Sequence, residues 1–498
     1  MKPDTADKLE FRRLFEKLVD VRAEMLGNEQ THAAEAQNDV HRKSFNNLLH
    51  YLALRRRDVR PLQESLSRVG LSSLGRCEAH ALRSVDAVLL LLARLIGQDL
   101  ALPPSTGAPD FDEGYGLLER NAQALFGPSP EGRSVRIMVT LSTEAADDPR
   151  LAHALIEQGA DGVRINCAHD DAGTWKRMAE HVRSASQTLG RACKVHFDLG
   201  GPKLRTGASS QGIVLSKGDS VMLTRSQAVA AINAPPRIPC TIPSVLDGVR
   251  VGEHVWFDDG KIGGVVEAVS AEGVTVRVTY ARHGRRELSS GRGINFPETA
   301  IDIPGFTAQD REDLAFVVRH ADTVGLSFAQ RVEDLRELRQ RLAELGAGGL
   351  GVILKIETRR GFESLPRLLL EGLGEHPLGI MIARGDLALE IGYERLAEVQ
   401  EEILWICEAA HVPVIWATQV LESLSKDGMP TRAEITDAAM SGRAECVMLN
   451  KGKHVVDAVR ILDDILRRMQ SHQRKKSATL RPLRISGDLS GVRTPDAG

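Results

Sequence analysis

The sequence lacks three features that mark common classes of protein. Its six cysteines include no CxxC pair, so we expect reduced thiols in a cytoplasmic compartment, not a disulfide framework or a zinc site. The longest strongly apolar run, residues 87–93, is too short to span a bilayer. Acidic residues occur early in the chain, which is unlike a signal or transit peptide.

An excess of charge of one sign is also missing. The formal net charge is −3 over 498 residues, and it favours neither nucleic acid nor a membrane as a partner. The Arg55-Arg56-Arg57 run could contact phosphate, but a solvated helix face is the better interpretation. With 42% apolar and 26% charged residues, the chain has the composition of a globular protein and the length for more than one domain.

Two patterns divide the chain. Residues 1–130 carry leucines at helical spacing and show no strand alternation, which predicts an N-terminal helical region for docking or for assembly of a homo-oligomer. From residue 131, apolar strand-like runs alternate with helical segments. The eight runs are 136–141, 162–167, 194–199, 323–328, 352–356, 380–383, 414–417 and 446–449. Eight βα units predict an α/β fold, a (β/α)8 TIM barrel more than an open doubly wound sheet.

A segment with a different sequence pattern interrupts the βα repeat. Residues 208–293 hold short β-like runs separated by glycine-rich and Asp-Gly turns. They predict a small β lid domain, inserted at a βα loop of a barrel that covers residues 131–207 and 294–472. Such loops form the active-site face of a barrel. Residues 473–498 are basic and contain serine and glycine, so we expect a disordered tail.

Two pairs of charged residues follow two of the predicted strands. Lys355 and Glu357 are two residues apart and would share one face of a strand. Arg384 and Asp386 follow the next strand. A surface salt bridge is the better interpretation of either pair alone, but two pairs in one repeating pattern favour a site. Cations and carboxylates that converge at strand ends suit a divalent metal and an anionic substrate.

Further polar residues fall at or just past the ends of the predicted strands. They are Arg164, Asn166, His169, Asp198, Lys203, Arg205 and Thr418. With the two charged pairs, they fit a multiply charged phosphorylated substrate and a bridging Mg²⁺. No Walker loop, Rossmann glycine fingerprint or evident nucleophile motif accompanies them.

These stretches resemble the pyruvate kinase family. Residues 164–169 read Arg-Ile-Asn-Cys-Ala-His, similar to the family's Arg-Leu-Asn-Phe-Ser-His. Residues 201–207 follow its Gly-Pro-Glu-Ile-Arg-Thr-Gly pattern and depart from it mainly at the third position. The other similar stretches are Lys-Ile-Glu at 355–357, Ala-Arg-Gly-Asp-Leu at 383–387, Ala-Thr-Gln-Val-Leu-Glu-Ser at 417–423 and Pro-Thr-Arg-Ala-Glu at 430–434. The resemblance runs in the family's order from about residue 134 to 470.

The resemblance implies a reaction of glycolysis, the Mg²⁺- or Mn²⁺-dependent transfer of phosphate from phosphoenolpyruvate to ADP, which gives pyruvate and ATP. By resemblance, Arg164 would hold the transferring phosphoryl group. Lys355 would stabilise that group and the enolate left behind, and Thr418 would lie where the enolate is protonated.

The resemblance also implies binding roles. Glu357 and Asp386 would bind the metal, and the Gly385 and Asp386 backbone would surround the substrate carboxylate. The residues implied in nucleotide binding are Asn166, His169, Arg205 and Arg292.

Several positions depart from the family's pattern. Lys203 replaces the usual glutamate, and Ala168 and Leu199 supply no side-chain oxygen where the family holds a monovalent cation. We therefore expect that potassium is not required, with the Lys203 ammonium as its substitute. The usual C-terminal domain is not expected, nor is activation by a sugar bisphosphate at its site. Two alternatives stay open: a non-catalytic, metabolite-sensing relative, or another metal-dependent enzyme that acts through a pyruvate enolate.

Overall fold

The computed structural model describes residues 5–35, 41–102, 107–209, 211–226, 235–374, 377–475 and 477–478. Five helices precede the first strand: α1 (Thr5–Thr31), α2 (Arg42–Arg55), α3 (Arg60–Arg68), α4 (Ala81–Ile96) and α5 (Phe111–Phe126). The buried leucines of α1 to α4 belong to the same hydrophobic cluster as the outer helices of the barrel. The N-terminal helices are therefore packed against the barrel through a continuous apolar core.

The first three βα units follow directly. They are β1 (Arg136–Thr140), α6 (Pro149–Glu157), β2 (Gly162–Asn166), α7 (Ala172–Leu189) and β3 (Lys194–Asp198). Asp148 and Asp171 cap α6 and α7, since each side chain accepts a hydrogen bond from a backbone N–H in the first turn. Both helices lie within one residue of the helical segments that the sequence predicts near residues 148–158 and 172–189.

A second group of strands is inserted after β3. It contains β4 (Ile213–Ser216), β5 (Ser220–Thr224), β6 (Arg237–Pro239), β7 (His254–Phe257), β8 (Ile262–Val269), β9 (Gly273–Ala281), β10 (Arg285–Leu288) and β11 (Ile294–Asn295). Six of these strands form one sheet in the order β11-β7-β8-β9-β5-β6, and β10 pairs with β4. We call residues 208–293 the lid. Its apolar residues form a cluster separate from that of the barrel.

The remaining five barrel strands and their helices complete the fold. They are α8 (Ala308–Val317), β12 (Thr323–Leu326), α9 (Val332–Glu344), β13 (Gly351–Ile356), α10 (Arg359–Gly372), β14 (Leu378–Ala383), α11 (Arg384–Ile391), α12 (Leu396–Ala409), β15 (Val414–Ala417), α13 (Glu422–Asp427), α14 (Arg432–Met440), β16 (Cys446–Leu449) and α15 (Val455–Gln470). The eight strands close in the order β1-β2-β3-β12-β13-β14-β15-β16 and are parallel throughout. The predicted (β/α)8 barrel is confirmed.

The barrel strands are long apolar runs because helices cover their outer faces and side chains fill the interior. Every residue of β13 and of β14 is buried. Leu125 and Phe126 of α5 belong to the inner cluster with Met138 and Ile353. A Cβ atom at Gly351 would lie 2.6 Å from Leu125. Helix α5 therefore covers the end of the barrel where the strands begin, and the opposite end remains for the site.

The C-terminal segment departs from the predicted disorder at its start. Residues 473–474 and 477–478 form a two-residue antiparallel pair, and the half-buried Lys475 ammonium contacts Glu445. The rest of the predicted tail lies outside the described residues. Across the described part of the chain, no helix combines the length and apolarity needed to cross a membrane.

Candidate active site

A cavity of about 330 Å³ lies between the lid and the carboxyl ends of the barrel strands. All the residues to which the sequence assigns a role line this cavity: Arg164, Asn166, His169, Lys203, Arg205, Arg292, Lys355, Glu357, Gly385, Asp386 and Thr418. The structure thus brings these residues to one cavity, and the roles implied for them stay predictions. Parallel strands bring their last residues to one rim, and the turns of the lid close over that rim.

The Asp198 carboxylate organises the cationic side of the cavity. It is fully buried, and it lies 2.5 Å from Nε of Arg164, 3.3 Å from Nζ of Lys355 and 2.9 Å from Nε2 of His196. Burial alone would raise the pKa of Asp198, but Arg164 and Lys355 hold it well below its usual value. One buried anion thus fixes two cations that both line the cavity.

The residues that surround Asp198 within the barrel sheet are tightly packed. Nδ1 of His196 lies 3.0 Å from the Thr323 hydroxyl. A Cβ atom at Gly325, on the neighbouring strand β12, would lie only 2.0 Å from Oδ1 of Asp198. Glycine is therefore required beside the carboxylate, and the barrel sheet leaves the Asp198 side chain little freedom to move.

Lys355 and Glu357 lie on one face, as the sequence predicts. The Lys355 ammonium is 3.3 Å from Oε1 of Glu357 and donates a hydrogen bond of 2.9 Å to the Ser327 hydroxyl. The Phe328 backbone N–H donates to Oε2 of Glu357 at 2.7 Å. Phe328 has a left-handed φ of 54°, so the backbone is held in an unfavourable conformation at the point where it orients this carboxylate.

Asp386 forms an ion pair with Lys203, which lies at the hinge where the chain enters the lid. Nζ of Lys203 lies 3.1 and 3.0 Å from the two oxygens of Asp386, and 3.8 Å from Oδ1 of Asp259 in the lid. Burial alone would lower the pKa of Lys203, but Asp386 and Asp259 raise it above its usual value. Lys203 is therefore an ammonium cation that joins the lid to the first turn of α11.

Glu357 and Asp386 suit a divalent metal by the chemistry of their oxygens. Burial raises the pKa of Glu357; Lys355 opposes this rise and the charge of Asp386 adds to it. A bound cation would relieve the repulsion between the two carboxylates. Within the described ranges, no cluster of three or more His, Cys, Asp or Glu side chains forms a complete metal site. Substrate and water would supply the other ligands, as is usual for Mg²⁺.

The start of α11 and the end of β15 meet at the floor of the cavity. The Gly385 N–H donates to the Thr418 hydroxyl at 3.0 Å. Thr418 and Gln419 have left-handed φ values of 65° and 59°, a conformation that costs about 1–3 kcal/mol for a residue other than glycine. The turn after β15 thus aims the Thr418 side chain at the N-terminus of α11, where backbone N–H groups favour an anion.

Arg384 differs from the sequence interpretation. It is a polar residue at a strand end, yet its guanidinium pairs with Asp437 at 2.6 and 2.9 Å and lies 4.9 Å from the centre of the Trp416 ring. It is not among the residues that line the cavity. Arg384 is the first residue of α11, and residues two apart on a helix do not face each other, so closeness in sequence does not place Arg384 beside Asp386.

The outer rim carries the residues implied in nucleotide binding. Arg205 donates to the Gly291 carbonyl at 3.0 Å, and Arg292 lies 3.4 Å from Oδ1 of Asp258. Burial lowers the pKa of His169, and the neighbouring cations Lys451 and Arg205 lower it further. At neutral pH this imidazole is uncharged and can accept or donate a hydrogen bond.

Several lining residues received no role from the sequence, and among them are Ser327, Asp259 and Asn450. Ser327 was part of the predicted strand 323–328 and directly follows β12, so a hydroxyl at the carboxyl end of a barrel strand is the signal that would have identified it. Its hydroxyl donates to the Leu199 carbonyl at 2.7 Å and accepts from Lys355. Ser327 therefore joins β3 to β13 directly beneath the cavity.

The family model for the pyruvate kinase barrel domain matches residues 132–459. Pyruvate kinase of Geobacillus stearothermophilus is 31% identical over 346 residues, which cover 68% of this chain and 57% of that protein. Pyruvate kinase 1 of Trypanosoma brucei brucei is 32% identical over 363 residues, which cover 71% of each chain. Pyruvate kinase PKLR of Homo sapiens is 31% identical over 385 residues, or 74% of this chain and 64% of that protein.

The chain thus spans between a little over half and about 70% of the length of these relatives. The matched region contains all eight barrel strands and the lid. This chain belongs to the pyruvate kinase family.

Proposed function

We propose that this chain transfers the phosphoryl group of phosphoenolpyruvate to ADP, with a divalent metal, and so forms pyruvate and ATP. One observation carries the proposal. Arg164 and Lys355 are fixed on the buried Asp198 and line the same cavity as the carboxylates Glu357 and Asp386. Cations on one side and metal-binding oxygens on the other suit a substrate with both phosphate and carboxylate groups.

The reaction requires the protein mainly to position the two substrates and to supply positive charge. A terminal phosphate oxygen of ADP forms a bond to phosphorus, and the bond from phosphorus to the enol oxygen breaks. Arg164 would contact the phosphoryl group, and Lys355 would balance the charge that passes to the enolate oxygen. When bound, Mg²⁺ or Mn²⁺ would neutralise substrate charge as a Lewis acid held by Glu357 and Asp386.

The enolate then takes a proton at its terminal carbon and becomes pyruvate. Thr418 would contribute on this face, because its hydroxyl lies at the floor of the cavity beside the Gly385 N–H. The Gly385 and Asp386 backbone at the N-terminus of α11 would hold the substrate carboxylate. Asn166, His169, Arg205 and Arg292 would contact ADP from the outer rim.

Lys203 would replace a monovalent cation in this scheme. Its ammonium already lies at ion-pair distance from Asp386 and faces the lid through Asp259. A tethered charge there adds positive potential near the substrate without an ion from solution. We therefore propose turnover that does not depend on potassium.

The test is turnover by the purified chain with phosphoenolpyruvate, ADP and Mg²⁺, followed by ³¹P NMR. Loss of the phosphoenolpyruvate signal with equal growth of the ATP signals would support the proposal. A second sample with oxaloacetate and no nucleotide tests lyase chemistry through the same enolate. Pyruvate formed in that sample alone, measured by ¹H NMR and in excess of the amount that oxaloacetate gives without the protein, would favour the other enolate enzyme. Substrate binding without turnover in either sample would favour a non-catalytic relative.

A further inference from the structure

A second large cavity lies far from the lid, where the N-terminal helices meet the barrel. It has a volume of about 600 Å³ and is bounded by the turn between α2 and α3, residues 74–78, and α12. We call it the arginine cleft. The arginines that line it are Arg55, Arg57, Arg60 and Arg76.

The arginine cleft is positively charged in a chain whose net charge is −3. Four guanidinium groups line it, and the only lining carboxylates among the described residues are Asp58 and Glu78. Arginine side chains repel one another, so their convergence on one concavity needs a compensating anion. The cleft is thus a local reversal of the charge of the whole protein.

Arg55 is held rigidly at the wall of the cleft. Its guanidinium lies 4.8 Å from the centre of the Trp405 ring and 5.5 Å from that of Tyr51, and it donates to the Tyr51 hydroxyl at 2.5 Å. Tyr51 is buried. Stacking between two aromatic rings fixes the plane of a guanidinium and leaves its other N–H groups for a ligand.

The other three arginines are more available. Arg60 pairs with Asp58 at 2.9 and 2.8 Å, but both side chains are largely exposed, so the pair is weak. Arg57 pairs with Glu24 at the surface. Among the residues that the structure describes, no carboxylate lies within ion-pair distance of Arg76, which is exposed. A ligand can therefore pair with Arg60 and Arg76 with the smallest loss of existing ion pairs.

The backbone adds little to this field. Helix α3 has nine residues and begins at the cleft, and its N-cap residue, Val59, provides no side-chain cap. The Arg60 N–H instead donates to Oδ1 of Asp58 at 3.0 Å, and Pro61 has no N–H. The guanidinium groups are therefore the groups that would bind an anion.

The Arg55-Arg56-Arg57 run is exposed, as the sequence predicts, but it does not form one helix face. Helix α2 ends at Arg55, so Arg56 and Arg57 follow the helix and do not continue its face. Arg55 and Arg57 line the cleft, whereas Arg56 does not. Because the helix ends within this run, neighbouring arginines lie in different places: two of them line the cleft and the third does not.

We propose that the arginine cleft binds a small polyanion, a metabolite with two or more phosphate groups. The cleft has room for such a molecule, and several exposed guanidinium groups gain more from a multiply charged ligand than from a monoanion. This site would be distinct from the cavity at the lid, and the proposal does not depend on the reaction at that cavity.

The probe is inorganic tripolyphosphate, titrated by calorimetry into the full chain without divalent metal at physiological ionic strength. The variant Arg60→Ala/Arg76→Ala removes the two available guanidinium groups. The matched control, Arg56→Ala/Arg68→Ala, removes the same charge from exposed residues outside the cleft. We expect the cleft variant to bind about tenfold or more weakly and the control to bind as the unchanged chain does.

A third variant, Arg164→Ala, separates the two cavities. We expect it to retain the cleft component of tripolyphosphate binding. The proposal is wrong if the unchanged chain does not bind the probe, or if both double variants lose equal affinity. It is also wrong if Arg164→Ala removes all binding, since the anion would then belong to the lid cavity alone. Circular dichroism spectra that match that of the unchanged chain would show that each variant is folded.

Discussion

The Lys203 ammonium lies 3.0 and 3.1 Å from the two carboxylate oxygens of Asp386. Lys203 belongs to the hinge through which the chain enters the lid, and Asp386 to the first turn of α11. The pair couples the position of the lid to the residue that we propose as a metal ligand. It also fills the neighbourhood in which a monovalent cation would otherwise act.

Activity should therefore be independent of potassium. We expect equal initial rates in potassium, sodium and tetramethylammonium chlorides at matched ionic strength, because Lys203 supplies a tethered charge. Lys203→Glu should lower the rate, and added potassium should restore little of it, since Ala168 and Leu199 add no side-chain oxygen. A rate that collapses when sodium replaces potassium would refute this role for Lys203.

Gly325 should be intolerant of even one added methyl group. In Gly325→Ala, the Cβ would lie 2.0 Å from Oδ1 of Asp198 and about 3.0 Å from the His196 ring. We expect displacement of Asp198, a loss of about 1–3 kcal/mol in the free energy of unfolding and a fall in kcat. Urea unfolding and steady-state kinetics measure the two effects.

The matched control for this change is Gly348→Ala. Gly348 is exposed, and a Cβ there meets no atom within 4 Å. We expect its stability and activity to stay close to those of the unchanged chain. Equal behaviour of the two alanine variants would mean that the packing behind Asp198 does not constrain the site.

Glu390 should give stability an unusual dependence on pH. Burial raises its pKa to about 7; the Asn295 amide, which donates to Oε1 at 3.1 Å, opposes the rise, and the charge of Asp386 adds to it. The folded chain then binds a proton that the unfolded chain has released. Stability should fall as the pH rises from about 5 to about 7 and change little above that range.

Glu390→Gln removes this titration and keeps a similar shape. We expect it to abolish the loss of stability between about pH 5 and 7, so that the variant gains about 1–3 kcal/mol relative to the unchanged chain over that interval. Thermal unfolding at a series of pH values provides the measurement. Parallel pH curves for the two proteins would show that Glu390 does not titrate in this range.

The barrel was predictable because its strands are buried on both sides. Continuous apolar runs such as residues 352–356 and 414–417 identify parallel strands, and the topology then brings their last residues together. Lys355 and Glu357 were found by spacing alone, and their contact at 3.3 Å follows from the two-residue period of a strand.

Other features depend on packing that the sequence does not display. The β-like runs expected in the lid were residues 213–215, 220–223, 254–257 and 274–278, and they do not include β8, because Gly263 and Gly264 resemble a turn. A Cβ at either position would lie 2.5 Å from Trp256 or Val276, so these glycines serve close packing in the lid sheet. That α5 covers the barrel end was also unpredictable, because the partners of Leu125 come from distant strands. The expected position of the Arg384 side chain was wrong because the direction of a side chain at the start of a helix does not follow from its position at a strand end.

Lys355 carries the central claim, because its ammonium is held by Asp198 and Glu357 within the cavity. Lys355→Met keeps most of the side-chain volume and removes the charge. The matched control is Lys176→Met, a similar change at an exposed lysine of α7 that lies 3.7 Å from Glu180.

The most direct measurement is kcat for pyruvate formation from phosphoenolpyruvate, ADP and Mg²⁺ by the unchanged chain and these two variants. We expect Lys355→Met to raise the barrier by about 3–5 kcal/mol, or roughly 10²- to 10⁴-fold in rate, and Lys176→Met to leave kcat unchanged. Near-normal turnover by a folded Lys355→Met variant, or no pyruvate from the unchanged chain, would contradict the proposed reaction at this site.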